Sequence, residues 1–173
     1  KWTLILTSVT ALTLMTACGQ STTKSSTTAA ADTTAITTSA KNSQSSYFTE
    51  KDYDTSYDES TASKIELSGS SASISGDGVT VSGSTVTISK AGTYVISGQS
   101  DGVQIKVEAD KSDDVKLVLK GATMTNTNAA ISATSAGHVY LTLAEGTTNS
   151  LSDSSSNSDE KANAALFSKA DLT

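Results

Sequence analysis

From residue 63 to the end of the chain, apolar and polar residues alternate in short runs. In residues 65–67 and 86–88, for example, an apolar residue stands on each side of a polar one. Alternation with a period of two is typical of strands with one buried face, and the glycines between the runs indicate turns. We therefore predict an all-β fold for residues 63–173.

Two strand patterns recur in the same order along this region. The run 114–119 returns at 138–143, which is 24 residues later, and begins again at 171–173. A second pattern precedes each of these runs. A period of about 24 residues with short strands is typical of a β-solenoid, whose coils bury inward Val, Ile and Leu against one another. The chain stops as a strand begins, so we expect the solenoid to be truncated at its C-terminus, with residues 152–163 as a polar insert.

The first residues have the pattern of a secretory signal. Lys1 precedes a mostly apolar stretch up to Ala17, which is too short and too rich in threonine for a comfortable membrane span. The residues around Cys18 resemble the lipobox of bacterial lipoproteins, in which the cysteine is lipid-modified and the preceding peptide is removed. We predict a signal peptide at 1–17 and lipidation of Cys18, which would anchor the protein outside the cell on its membrane. An ordinary signal peptide with an incidental cysteine is the alternative.

Residues 18–62 show almost no apolar periodicity. Ser and Thr occupy 20 of the 44 positions from 19 to 62, and such a segment cannot bury enough apolar surface to offset its ordering entropy. We predict a lipid-anchored, disordered Ser/Thr-rich tether. The acidic and aromatic stretch at 47–58 is expected to dock on the following domain as a short cap, or else to serve as a linear recognition motif.

Composition and charge exclude several classes of function. The chain has 31 serines and 28 threonines, and its 12 basic residues are all lysine against 18 acidic residues, for a net charge of -6. That balance argues against nucleic-acid binding. One Cys and one His exclude a disulfide framework and a Cys/His zinc site. The single histidine, His138, occupies the repeat position of Asp114 and Asp171, which is typical of a turn rather than of a catalytic base.

The order of the motifs resembles one bacterial family. The residues that carry the resemblance are 101–105 (Asp-Gly-Val-Gln-Ile), 115–121 (Val-Lys-Leu-Val-Leu-Lys-Gly), 129–131 (Ala-Ala-Ile), 141–153 and 164–173. Together they resemble the secreted carbohydrate-binding domain-containing proteins, whose members resemble pectate lyases. The resemblance implies that residues 63–173 are the N-terminal part of a right-handed parallel β-helix. It also implies binding of acidic polysaccharide such as polygalacturonate, with calcium and without clear lyase activity.

Calcium is the cofactor that the acidic residues favour. Hard cations bind several carboxylate and carbonyl oxygens, and a net-negative protein needs a cation to hold a polyanion. Stacking of the repeats is expected to bring Asp114, His138 and Asp171 together at one edge. Solvated acidic loops are the alternative for each cluster. The candidate metal ligands are Glu108, Asp110, Asp113, Asp114, Asp153 and Asp171.

The expected function is therefore that of a non-enzymatic, cell-surface carbohydrate-binding lipoprotein. Phe167 is a candidate for stacking on a sugar, since one of the neighbours Leu166 and Phe167 should point in and one out, although a core or capping role is the favoured alternative. A structural or adhesive surface solenoid is one alternative. A weak polysaccharide lyase is another, although arginine is absent as a base and an ordinary lysine has a pKa near 10.4.

Overall fold

The structure is a computed structural model that describes residues 48–153 and 162–173. Apart from one short 3-10 helix at Glu50–Tyr53, the regular elements of this part are strands, which confirms the all-β fold. The twelve strands of the described residues are β1 (Ser63–Gly69), β2 (Ser71–Ser75), β3 (Val79–Ser82), β4 (Thr85–Ile88), β5 (Gly92–Asp101), β6 (Gln104–Glu108), β7 (Asp114–Asn126), β8 (Ile131–Ser135), β9 (His138–Leu143), β10 (Ser150–Asp153), β11 (Leu166–Ser168) and β12 (Asp171–Leu172).

The strands form two sheets, which both combine parallel and antiparallel pairs. The first sheet has the order β12-β9-β7-β5-β1-β2, with β10 paired to β7, and the second has the order β11-β8-β6-β4-β3. In each sheet one hairpin, β1–β2 or β3–β4, is antiparallel, and the remaining pairs are parallel. Within residues 48–153 and 162–173, no helix is long and apolar enough to cross a membrane.

The repeated sequence patterns lie beside one another in register. Asp114 pairs with His138, and His138 pairs with Asp171, as the alignment of the repeats predicts. In the second sheet Ile131 lies between Ile105 and Leu166. Each strand therefore pairs with its counterpart one repeat away, which places equivalent side chains in continuous rows.

The inward rows of both sheets share one core. Ile65, Leu117 and Ile105 are fully buried in the same apolar cluster, although they come from different sheets. Burial of each such side chain contributes about 1.5–3 kcal/mol relative to its exposure. Tyr94 is also buried there, and its hydroxyl donates a hydrogen bond to the carbonyl of Lys90 at 2.8 Å. The core is thus built by the residues that the alternating pattern assigns to the interior.

The two hairpin strands at the sheet ends depart from this pattern. Ile74 in β2 and Val81 in β3 are 37% and 36% exposed, although both occupy apolar positions of alternating runs. Each strand is last in its sheet and has a neighbour on one side. Alternation therefore predicts the strand correctly here but not its burial, since burial requires a layer packed on that face.

Residues 49–62, which we call the strap, lie along the outer face of the first sheet. Tyr57 and Ala62 of the strap pack on Val95 and Val118, which point away from the main core and are nevertheless buried. The docking predicted for the acidic and aromatic stretch is therefore confirmed for its described residues. The preceding residues, with the predicted signal peptide and Cys18, lie outside the described part of the chain.

Candidate functional site

A straight row of side chains crosses the outer face of the second sheet. One residue from each of its five strands contributes, and we call this set the outer row: Thr80, Thr87, Lys106, Ser132 and Phe167. Their sequence neighbours Ile105, Val107 and Ile131 are fully buried. Since side chains alternate between faces, the outer row points away from the core.

The outer row is longer than a single sugar-sized ligand. Neighbouring strands lie about 4.8 Å apart, so its four intervals span about 19 Å. The hydroxyls of Thr80 and Thr87 and the ammonium group of Lys106 can donate hydrogen bonds along this length, whereas Ser132 is buried. The row therefore offers several polar contacts to an extended ligand that lies across the strands.

Phe167 gives the row an aromatic end. Leu166 packs against the core, so the next side chain along the strand, Phe167, lies on the opposite face. The Nζ atom of Lys169 is 5.9 Å from the centroid of the Phe167 ring. The prediction that Leu166 and Phe167 face opposite sides is consistent with this packing. The ammonium group over the ring can pair with an anionic group of a ligand, while the uncovered part of the ring contacts its carbon atoms.

Three predicted metal ligands lie near the turn after β6, and the carboxylate of one of them, Asp113, is bound by a backbone amide. The carboxylate of Asp113 accepts a hydrogen bond from the amide of Ala91 at 3.0 Å. The carbonyl of Asp110 accepts one from the amide of Asp113 at 2.9 Å. Glu108 ends β6 two positions beyond Lys106, on the side of the outer row. The Asp113 carboxylate therefore links the turn to Ala91, Asp110 contributes its backbone carbonyl to the turn, and Glu108 borders the second-sheet face.

Asp114, His138 and Asp171 lie at one edge of the first sheet, as the repeats predict. Asp114 forms an ion pair with Lys51 of the strap. Asp153 is at the end of β10, where it pairs with Asn126. Among residues 48–153 and 162–173, no group of three or more His, Cys, Asp or Glu is arranged to hold a metal ion. The six predicted ligands thus do not assemble into one such group, and calcium binding stays a prediction.

The strap contributes one residue that the candidate set did not include. Asp52 accepts a hydrogen bond from Thr173 Oγ1 at 2.6 Å, and its side chain is 8% exposed. His138 Nε2 lies 2.9 Å from the same hydroxyl and 3.7 Å from Asp52 Oδ1. The hydrogen bond from Thr173, together with those from Thr49, lowers the pKa of Asp52 to about 2. The only sequence signal for this residue was its place in the acidic and aromatic stretch.

A cavity of about 380 Å³ opens beside this network, between the strap and β9 and β12. His138 stacks on Tyr140, with ring centroids 4.2 Å apart and an interplanar angle of 12°. The Nζ atom of Lys51 is 5.3 Å from the centroid of the Tyr140 ring. These contacts of His138 and Tyr140, together with those of Asp52, hold the strap on the sheet.

Residues 82–173 match the model of the family described as "Carbohydrate-binding domain-containing protein". The chain belongs to this family. A curated relative with the same description, from Acetivibrio thermocellus, is 39% identical over 91 residues, which are 49% of this chain and 32% of the relative. The region that matches this chain therefore spans about a third of the length of this relative.

A solved structure, of the polysaccharide lyase-like protein from C. thermocellum (a gadolinium derivative), is also similar. It has 35% sequence identity and a TM-score of 0.58, over 64% of this chain and 48% of that chain. Lys106, Ser132 and Phe167 fall inside the region matched by the carbohydrate-binding family, whereas the strap lies before it. The outer row is therefore mainly part of the shared domain, and the strap is outside the matched region.

Proposed function

We propose that this protein binds acidic polysaccharide, such as polygalacturonate, through the outer row of its second sheet. Membership of the carbohydrate-binding family supports a carbohydrate ligand. The observation that carries the site is the position of Phe167 in one row with Lys106, with the ammonium group of Lys169 over the ring. The ring would contact the apolar face of a sugar, and the lysines would pair with carboxylates along the polymer.

The acidic character of the ligand is inferred from local charge. The whole chain carries a net charge of -6, which repels a polyanion at long range. The outer row and its aromatic end nevertheless carry two lysines, Lys106 and Lys169, and contacts at short range are less affected by screening than the distant field. Glu108 borders the same face, so a calcium ion shared between this carboxylate and the polymer is part of the proposal.

The proposed architecture and location follow the sequence analysis. The parallel pairs between equivalent strands and the similarity to a polysaccharide lyase-like protein support a right-handed parallel β-helix. We infer that Cys18 is lipidated and that the protein is anchored at the outer surface of the cell membrane. In this proposal the anchored domain captures polymer and does not cleave it.

The test is a binding titration of polygalacturonate against the full chain, Phe167→Ala and Lys106→Gln. Each variant is expected to weaken binding by about fivefold or more, because each removes one of the main contacts proposed for the row. Lys90→Gln is the matched control, since it makes the same charge change at an exposed turn residue. Equal binding by all variants would show that the outer row is not the site.

Three further arms separate the alternatives. A chelator is expected to weaken binding if calcium participates, and an uncharged polysaccharide is expected to bind less than polygalacturonate. Absence of binding to any glycan would favour a structural or adhesive role. Release of unsaturated uronides, measured by ultraviolet absorbance, would establish the lyase activity that the name of the solved relative raises.

A further inference from the structure

The outer face of the first sheet carries three lysines, which we call the lysine face: Lys64, Lys116 and Lys120. Lys116 and Lys120 alternate with buried residues along β7, and Lys64 lies on β1 at the position that pairs with Val95. The strap runs over these lysines and supplies their partners. Glu66 and Asp114 lie on the same outer face, so the lysines form a local basic cluster, and acidic residues of the strap lie over that cluster.

Lys116 is held by oxygen atoms of the strap. Its Nζ atom donates hydrogen bonds to the carbonyl oxygens of Asp54 and Ser56, at 2.9 and 2.8 Å. The carboxylate of Asp54 lies 3.6 Å from the same nitrogen, and the lysine side chain is only 16% exposed. The strap thus places a carboxylate and two carbonyls around one ammonium group.

Glu59 lies between the other two lysines. Its Oε2 atom is 2.6 Å from Lys120 Nζ, and its Oε1 atom is 3.9 Å from Lys64 Nζ. The hydrogen bond with Lys120 lowers the pKa of Glu59 and raises the pKa of Lys120. One carboxylate therefore lies near two ammonium groups, one on β1 and one on β7.

The contacts between Glu59 and its lysines are weak enough for another anion to compete with Glu59. The ion pairs of Glu59 are 41–55% exposed at their lysines, and such pairs are weak and screened by salt. A cavity of about 440 Å³ lies along the strap edge, between residues 55–57 of the strap and Thr142–Glu145. A ligand can therefore approach the sheet at this edge before the strap moves.

We propose that the lysine face is a second binding site for the carboxylates of an acidic polysaccharide, which Asp54 and Glu59 occupy when no polymer is bound. The strap places the carboxylates of Asp54 and Glu59 on lysines with which the carboxylates of a uronate polymer would pair in their place. Release of the strap exposes Lys116 and Lys120 to polymer. This inference rests on the proposed ligand class, but it does not depend on the outer row.

The experiment uses the full chain with the outer row disabled by Phe167→Ala and Lys106→Gln. In that background, Asp54→Asn with Glu59→Gln is expected to tighten polygalacturonate binding by about fivefold, because two competing carboxylates are removed. Adding Lys116→Gln and Lys120→Gln should abolish the gain. Asp77→Asn with Asp101→Asn is the matched control, which makes the same charge change away from the strap.

The proposal is overturned if the strap variant binds no tighter than this control, or if its gain survives loss of the two lysines. Amide hydrogen exchange of the wild-type protein provides a reading that needs no variant. Polymer should speed exchange within residues 52–60, and unchanged exchange at saturating polymer would mean that the strap is a permanent cover. If only the outer-row proposal is wrong, Phe167→Ala with an intact strap should bind polymer as tightly as wild type.

Discussion

Thr173 Oγ1 donates a hydrogen bond to Asp52 Oδ1 at 2.6 Å and so joins residues that are 121 positions apart. The bond links the strap to the residue that follows β12, and His138 Nε2 lies 2.9 Å from the same hydroxyl. Since the ionised carboxylate is the better acceptor, this contact depends on the charge of Asp52. The strap is therefore coupled to the protonation of one side chain.

Stability should fall at acidic pH in part through Asp52. Its pKa is about 2 in the folded protein, and the ordinary value is 3.8. A lowered pKa means that the stabilisation is present above the ordinary value and is lost as the pH falls towards about 2. We expect the unfolding free energy of wild type, measured with urea from neutral to acidic pH, to fall more steeply over this range than that of Asp52→Asn. Parallel curves for the two proteins would contradict this, and Asp77→Asn controls for a change of surface charge.

The central core position Leu117 should be sensitive to truncation. Leu117 is fully buried, so Leu117→Ala removes apolar burial and leaves a cavity, at a cost of about 2–5 kcal/mol. Leu143→Ala is the matched control, because Leu143 is 62% exposed and should change stability by no more than about 0.5 kcal/mol. Chemical denaturation of both variants measures the difference. Similar losses of stability in the two variants would mean that Leu117 and Leu143 do not differ in burial.

Gly98 should not tolerate a side chain. It has φ +88°, and a Cβ atom there would overlap the carbonyl oxygen of Leu67 on the neighbouring strand. Gly102 has φ +95° with no atom within 4 Å of such a Cβ, so alanine there meets backbone strain alone. We expect Gly102→Ala to cost about 1–3 kcal/mol and Gly98→Ala to cost more. Thermal unfolding of the pair measures the contribution of the close approach, and equal losses would refute it.

Two buried serines should respond in opposite ways to alanine. Ser63 Oγ donates a hydrogen bond to the carbonyl of Asp77 at 2.8 Å, so Ser63→Ala should cost about 0.5–1.5 kcal/mol. Ser100 Oγ is buried and has no hydrogen-bond partner among the described residues. Ser100→Ala therefore removes an unsatisfied polar group and should leave stability unchanged or raise it. If Ser100→Ala loses as much stability as Ser63→Ala, the hydroxyl of Ser100 does have a hydrogen-bond partner.

The repeats show how much of the fold can be predicted from the sequence. The predicted alignment of Asp114 with His138 and Asp171 is the observed register, because a shift by one residue would turn every buried side chain outward. The alternation around Ile74 predicts a strand, which is β2, yet the residue is partly exposed at the sheet end. Local pattern identifies strands, whereas the position of a strand within its sheet depends on distant partners.

The candidate site was predictable only in part. The sequence offered Phe167 as one candidate, since adjacent residues of a strand face opposite sides, but favoured a core or capping role for it. Its row with Lys106 and Ser132 required the pairing of β6, β8 and β11. The partners of the acidic candidates could not be predicted from residue type. Asp113 accepts a hydrogen bond from the Ala91 amide, and Asp114 pairs with Lys51. Residue type indicates an affinity for cations, but the backbone and the strap determine which partner each carboxylate has.

The sequence by itself determined the all-β class, the strand repeats and their register, because alternation and turn residues act over a few positions. Family membership was also predictable, through the order of motifs in residues 101–173, which lie within the region 82–173 that the family model matches. Only the tertiary structure decided that Val95 and Val118 are buried on an outer face, and that the lysine face lies beneath Asp54 and Glu59. The physical reason is distance along the chain. Contacts between the strap and β7 join residues about sixty positions apart, and no local periodicity records which distant segment will cover which face.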